Sequence, residues 1–275
     1  MGLTGYQEQV KRAVDACLEF PQVIGMKLYA GHSVGNLGVI KIEDQARVYE
    51  TLAQEEFMGV LAVHAEKEDE LNLSLWNYHN PVTHCHARPE KAEVESIKDQ
   101  IKLAKNYKFK GNLHIAHISS PAAVDLVQQA KSEGLNISCG ICPHHFIYDW
   151  QQMTCKDGIL WKMNPPLRSP ESREKMLQYL KSGKIDWIET DHAPHTLNEK
   201  VSEPFMSGIP GLPWWGVFDE YLRMNNFSDV MIEQLTFTNI IKRFGMDISR
   251  SRRKIIDRRG DYPFNPYKLL EEQLT

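Results

Sequence analysis

Short β-branched runs alternate with helical patterns along the chain, which predicts an α/β fold whose strands pair in parallel through right-handed crossovers. A second observation chooses between an open sheet and a TIM-type (β/α) barrel. Lys27, His64, His117 and Asp191 each fall at or near the C-terminal end of a strand run, and that rim is where a barrel carries its site. The third observation limits the prediction. Five strand runs are legible against the eight of a closed barrel, and the shortfall lies at the start, where the chain opens on a helix.

Taken in order, residues 6–18 form that opening helix, and strands follow at 22–28, 59–64, 112–118, 136–141 and 185–190. Helices fill the intervals at 43–56, 90–105, 121–132 and 170–181, with at least two more after the last strand. Ser169-Pro170-Glu171 is a strong helix start, a hydroxyl cap followed by proline at the first helical position. No repeat, low-complexity stretch or linker interrupts the pattern. One barrel domain over residues 1–248 and a tail over 249–275 are therefore expected.

Composition excludes several function classes. The 275 residues carry 32 Lys and Arg against 36 Asp and Glu, a net charge of −4, so there is no cationic face for a nucleic-acid backbone. No apolar run approaches the ~18 residues that span a bilayer. The first fifteen residues mix acids with bases around no apolar centre, unlike a secretory signal. The Met1-Gly2 myristoylation cue lacks its hydroxyl residue, since position six is Tyr6. A cytoplasmic protein with no membrane and no nucleic-acid partner is expected. Its five cysteines, Cys17, Cys85, Cys139, Cys142 and Cys155, form no disulfide framework, and Cys139 and Cys142 are read as buried free thiols. The Cys139-Gly-Ile-Cys142 spacing has no second pair to complete a zinc tetrahedron.

Two histidines, an aspartate and a lysine on the strand ends of one sheet suit a divalent ion such as zinc, which takes imidazole nitrogen and carboxylate oxygen. An ammonium repels cations, so Lys27 fits this set only if carbon dioxide carbamylates it to a carboxylate-like bridge. Other histidines receive plainer readings. His114, three residues before His117, is expected to face the opposite way and pack against a helix. His84 and His86 belong to a polar loop before a helix, and His144-His145 face the rim behind Pro143. Glu189 should share the inward face of Asp191 and therefore needs a partner.

Five segments in order, Gly25-Met-Lys-Leu-Tyr29, Val63-His-Ala-Glu66, His114-Ile-Ala-His-Ile-Ser119, Lys162-Met-Asn-Pro-Pro-Leu-Arg168 and Thr190-Asp-His-Ala-Pro-His195, resemble the amidohydrolase superfamily and its dihydroorotases in particular. The resemblance runs from about Leu3 to about Gly211. It implies a zinc-dependent cyclic amidohydrolase with one or two ions, opening dihydroorotate to carbamoyl aspartate in pyrimidine synthesis. Lys27 would be the carbamylated bridge, His64 and His117 would hold the second metal, and Asp191 would bind the first metal and act as general base and acid. Asn164, His195 and Arg168 would hold the substrate.

Two departures qualify that implication. Relatives open on a strand ending in His-x-His, and neither it nor the following arginine precedes Lys27, so the first three strands of the barrel are expected to be missing. At the other end, Ser249-Arg-Ser-Arg-Arg-Lys-Ile-Ile replaces the family's lead into its C-terminal segment, of which the tail is a remnant. The chain is then a fragment, a short natural form or half of a split enzyme. In each case the open barrel calls for a homo-oligomer or a covering partner chain. Hydantoinase or allantoinase activity is the alternative within the class. From a different class comes a catalytically silent subunit supporting a partner such as aspartate transcarbamoylase.

Overall fold

Each strand stacks beside the one before it, so the chain builds its sheet strictly in sequence order. The computed structural model of the protein describes residues 1–33, 35, 37–248 and 257–274; the Ser249–Ile256 replacement lies outside them. Its elements run α1 (Gln7–Glu19), β1 (Gly25–Tyr29), α2 (Ile42–Gln54), β2 (Val60–His64), α3 (Thr83–Ala87), α4 (Glu90–Asn106), β3 (Asn112–Ile115), α5 (Pro121–Ser132), β4 (Ile137–Ile141), α6 (Pro143–Ile147), α7 (Pro170–Lys181) and β5 (Trp187–Ile188). Five short helices complete it: α8 (Leu197–Val201), α9 (Trp215–Met224), α10 (Asp229–Glu233), α11 (Asn239–Phe244) and α12 (Lys268–Leu274). All four strand pairings are parallel, in the order β1-β2-β3-β4-β5. This sheet covers part of a (β/α) barrel, as the strand and helix alternation predicts.

The two faces of the sheet differ. Met26, Leu28, Leu61, Val63, Leu113 and Ile115 point outward and are buried in one apolar core beneath the helices. The register places Lys27 opposite Ala62, Ala62 opposite His114 and His114 opposite Ser138, so these four form one inward layer. On β1 the burial alternates, with Met26 and Leu28 covered and Lys27 only partly so. The inner face therefore opens into a cavity of about 630 Å³ lined by Lys27, Ala62, His114, Trp187, Glu189 and Phe244, among others.

His114 corrects a sequence expectation. It faces inward, stacked on Trp187 with ring centroids 4.3 Å apart and hydrogen-bonded to Ser138 and Glu189. The alternation argument fails because β3 ends at Ile115 and His117 takes a φ of 43°, which breaks the two-residue period. The free edge of β1 is also partly paired. Met1 to Leu3 lie alongside it, with Lys27 N–H donating to the Met1 carbonyl and Leu3 N–H to the Lys27 carbonyl.

A second apolar cluster sits above the rim. Trp161, Met163 and Leu167 from the β4–α7 connection meet Trp214 and Phe218 there, together with Tyr267 and Leu270 of the tail. Residues 257–274 thus help to hold the loop that carries Asn164. At α7 the expected cap forms, Ser169 Oγ accepting from Ser172 N–H. Ser120 before Pro121 does not cap α5 with its side chain; its hydroxyl goes to Glu93 instead. No helix among the described residues is long and apolar enough to cross a membrane.

Candidate active site

Four strand ends and two loops deliver their side chains to one rim cavity of about 290 Å³. Lys27, His64, His117 and Asp191 all line it, as do Asn164 and His195, with Tyr29, Ser33, Pro194 and Ser207 completing much of the wall. Lys27, His117 and Asp191 also line the larger inner cavity, so they form the partition between the two.

The backbone bends sharply where it presents two of these residues. His117 has φ 43° and Asp191 φ 42°, a left-handed conformation that side-chain-bearing residues adopt only at a cost of about 1–3 kcal/mol. His117 lies two residues beyond the end of β3 and Asp191 three beyond the end of β5. The bend turns each side chain away from the strand alternation and into the rim.

The two histidines meet directly, His64 Nδ1 lying 3.1 Å from His117 Nε2. Two nitrogens bound to one zinc at about 2.0–2.1 Å, with an angle of about 90–110°, lie about 2.9–3.4 Å apart. The observed spacing therefore suits two ligands of a single ion. On its far side, His64 Nε2 is 2.9 Å from Glu66 Oε2. A carboxylate can only accept here, so Nε2 carries the proton and Nδ1 offers its lone pair to the cavity, the arrangement that orients metal-binding imidazoles.

Glu66 is buried, which opposes its charge more than any single neighbour favours it, but Arg88 and His64 together prevail and hold the carboxyl well below the usual range. Arg88 Nε lies 3.1 Å from both carboxylate oxygens, and its Nη2 lies 2.5 Å from Oε2 while also donating to the His32 carbonyl. Burial keeps both histidines below their ordinary pKa, with Lys27 adding to the effect, so both rings are neutral. His117 Nδ1 is buried without a hydrogen-bond partner.

The Lys27 and Asp191 side is built differently. Burial lowers the Lys27 pKa, against the pull of Glu189 and Asp191. Asp191 looks out through the cavity mouth, and its carboxyl is raised by desolvation at the wall and by Glu189, with Lys27 opposing. Glu189 finds the partners it needs in His114 Nε2 at 3.2 Å, Trp187 Nε1 at 3.3 Å and the His117 N–H. Burial works against its ionisation, but His114 and the His117 N–H prevail and the carboxyl stays below its usual range. Gly140 makes room for it: a Cβ there would come within 2.7 Å of the Glu189 carboxylate.

Asn164 is oriented by His84, whose Nε2 lies 3.0 Å from both Asn164 Oδ1 and the Met163 carbonyl. That ring nitrogen must donate, so Asn164 keeps its amide N–H groups for the cavity, one of them 3.5 Å from Ser33 Oγ. His195 donates from Nε2 to the Ser207 carbonyl at 3.1 Å. Arg168 lines neither cavity. Its guanidinium lies buried below the rim, donating to Ser119 Oγ at 2.9 Å and to the Arg88 carbonyl at 2.6 Å.

Sequence reasoning assigned no role to Glu66 or Arg88, and it read His84 as a loop residue at most supporting the site, where the structure places it in α3 against Asn164. Glu66 was within reach, since it stands two residues beyond His64 and so shares its face. Arg88 and His84 come from a loop and a one-turn helix whose position no periodicity reveals.

No family model matches the chain. It is 31% identical over 169 residues to the dihydroorotase of Fusobacterium nucleatum, a match covering 58% of this chain and 40% of that protein. The chain is dihydroorotase-like. An allantoinase of Salmonella paratyphi B is 35% identical over 164 residues, covering 58% of this chain and 36% of the relative. The dihydroorotase-like chain thus spans well under half the length of these curated relatives. Among solved structures, a dihydropyrimidinase from Brevibacillus agri superposes with a TM-score of 0.75 at 21% identity, over 87% of this chain and 54% of the other. That likeness bears on the fold, and it agrees with a sheet covering part of a (β/α) barrel.

Proposed function

We propose that this chain carries the metal-holding and ring-holding portion of a dihydroorotase-type cyclic amidohydrolase, which opens dihydroorotate to carbamoyl aspartate. The observation that supports this reading is the convergence of Lys27, His64, His117, Asp191, Asn164 and His195 on one cavity. Imidazole and carboxylate donors fit a divalent ion such as zinc. His64 and His117 would hold one ion, Asp191 would serve a second, and Lys27 would bridge them as a carbamate. When bound, such ions lower the pKa of water to about 7 and polarise the amide carbonyl.

The protein's own groups supply the rest. A partly buried Lys27 reaches its neutral amine form more readily than an exposed one, and that amine adds to carbon dioxide, losing a proton to become the anionic carbamate. Asp191 would take the proton from water as the new C–O bond forms. It would return that proton to the ring nitrogen as the C–N bond breaks, so the same carboxyl is base and then acid. Asn164 would donate its amide N–H to the ring, and His195 would accept through Nδ1.

A second reading draws on the allantoinase relative and assigns the same residues a different ring. One experiment separates the two. The full chain, loaded with zinc and shown to be folded, is assayed for ring opening of dihydroorotate, allantoin and hydantoin. Turnover of dihydroorotate that disappears on chelation is expected. Turnover confined to allantoin or hydantoin would transfer the assignment. Inertness toward all three by a metal-loaded, folded chain would overturn both readings and leave the silent-subunit account.

A further inference from the structure

We propose a second metal site in this protein, formed by Cys142, His144 and His145 where β4 ends, and built for a thiophilic ion, zinc(II) or copper(I). It stands independently of the proposed hydrolase centre and shares no ligand with it. One donor atom from each of the three residues lies within 4.8 Å of the other two, and all three residues are buried. A tetrahedral ion with Zn–S about 2.3 Å and Zn–N about 2.05 Å spaces its donors about 3.3–3.6 Å apart. The three side chains therefore need to close by about 1 Å, well within reach of small side-chain rotations.

The local chain explains the clustering. Cys142 is the last extended residue, Pro143 opens α6, and the first turn brings His144 and His145 back beside the thiol. The two rings sit with centroids 4.3 Å apart. His145 Nε2 lies 3.0 Å from the Pro165 carbonyl. A carbonyl can only accept, so Nε2 carries the proton and Nδ1 is left as a lone pair. That Nδ1 is buried with no hydrogen-bond partner, and so is His144 Nδ1. Two buried imidazoles that each carry an orphaned nitrogen, in one cluster with a thiol, are costly groups to bury, and one cation would satisfy them together. The tautomer of His145 is fixed from behind in the manner of a metal ligand.

Electrostatics point the same way. Burial keeps both histidines neutral, the form that coordinates metals. Burial also pushes the Cys142 thiol well up, so it remains protonated until a metal displaces the proton, as coordinated thiols do. Thiolate with imidazole is a soft to borderline donor set, which favours zinc(II) and copper(I) over magnesium or calcium. Three protein donors leave a fourth position for water or a small ligand.

The test uses cobalt(II) in place of zinc on the full chain. Thiolate bound to cobalt gives an intense charge-transfer absorption in the near ultraviolet. The proposed hydrolase centre contains no thiolate, so its success or failure leaves this signal unchanged. The expected result is a band whose amplitude at saturation corresponds to one thiolate-bound cobalt per chain, abolished in Cys142→Ser and in His145→Gln but retained in His117→Gln and in Cys155→Ser, which removes the exposed cysteine. A parallel titration with copper(I) against a coloured chelator covers the other ion; one tight equivalent lost in Cys142→Ser also supports the site. Absence of both signals in folded wild-type protein overturns the proposal, as does a cobalt band that survives in Cys142→Ser. Circular dichroism confirms that each variant is folded, and His145→Gln provides the second route if Cys142→Ser does not fold.

Discussion

The two sides of the rim cavity are made on opposite plans. On the His64 side the imidazole rests on a buried chain of charge, His64 to Glu66 to Arg88, with every link within hydrogen-bond distance. The Lys27 and Asp191 side faces open space: both residues border the larger inner cavity as well, and Asp191 is exposed. A charge network removed from water holds geometry rigidly, and it is strongly destabilising once one partner is lost. A group at a cavity mouth can gain or lose a proton at little structural cost. One side is suited to fixing ligands and the other to moving protons.

The largest effect should come from breaking the rigid side. Arg88→Met leaves Glu66 as an uncompensated buried charge against His64, and the expected loss of stability is about 3–5 kcal/mol, measured by urea unfolding. A variant within about 1 kcal/mol of wild type would mean that water reaches Glu66 and that the two sides are not so different. Asp191→Asn should behave in the opposite sense. Asparagine tolerates the left-handed backbone at this position, so the unfolding midpoint should barely move. Ring opening should fall about 10²-fold or more, as expected for loss of a general base. A large change in stability with unchanged turnover would reverse the assignment of roles.

The convergence of the site was legible in the sequence, whereas the contrast between its two sides was not. The strand and helix alternation, together with polar residues at strand ends, was enough to place Lys27, His64, His117 and Asp191 on one rim, because parallel strands repeat the same end-on geometry. The inward turn of His114 was not legible. It depends on where β3 stops pairing and on a left-handed residue at His117, and neither leaves a periodic trace. Arg88 and His84 were hidden for a related reason, since loop residues meet the site through tertiary packing. The pairing of Met1 to Leu3 along β1 escaped notice because three residues are too few to show a period.

A subtler difference lies beneath the rim. Glu93 is buried and accepts from Ser119 N–H at 2.7 Å and from Ser119 Oγ at 3.1 Å. Burial raises its carboxyl to about 7, although Arg168 and the serines oppose the rise. The unfolded chain has lost its proton above the ordinary glutamate range while the folded chain still holds it, so folding is favoured at low pH. That contribution fades as pH rises from about 4.5 to about 7, at no more than about 1.4 kcal/mol per pH unit. The buried histidines pull the other way over the same range, so the readout is a difference curve. Glu93→Gln, compared with wild type by urea unfolding at several pH values, should become relatively more stable as pH rises from 5 to 7. A flat difference curve would show Glu93 ionised throughout.

The smallest expected effect tests what steadies the open side. His192, next to Asp191, accepts at Nδ1 from the Gly211 N–H at 3.1 Å and the Leu212 N–H at 3.3 Å. Its Nε2 must then carry the proton, which it donates to Tyr262 Oη at 3.1 Å. The Asp191 turn is thereby tied to the tail, whose Tyr267 is buried beside Trp214 and Phe218. Tyr262→Phe removes one neutral, partly buried acceptor, and the expected loss of stability is about 0.5–1.5 kcal/mol. A purely structural tie would stop there. A tie that positions Asp191 should also lower kcat several-fold while leaving KM nearly unchanged, because the proton-moving carboxyl would wander while the ring-holding residues stayed in place. A fall in stability with an unaltered kcat would mean that the left-handed backbone at Asp191 holds its own position, and that the open side needs no anchor from the tail.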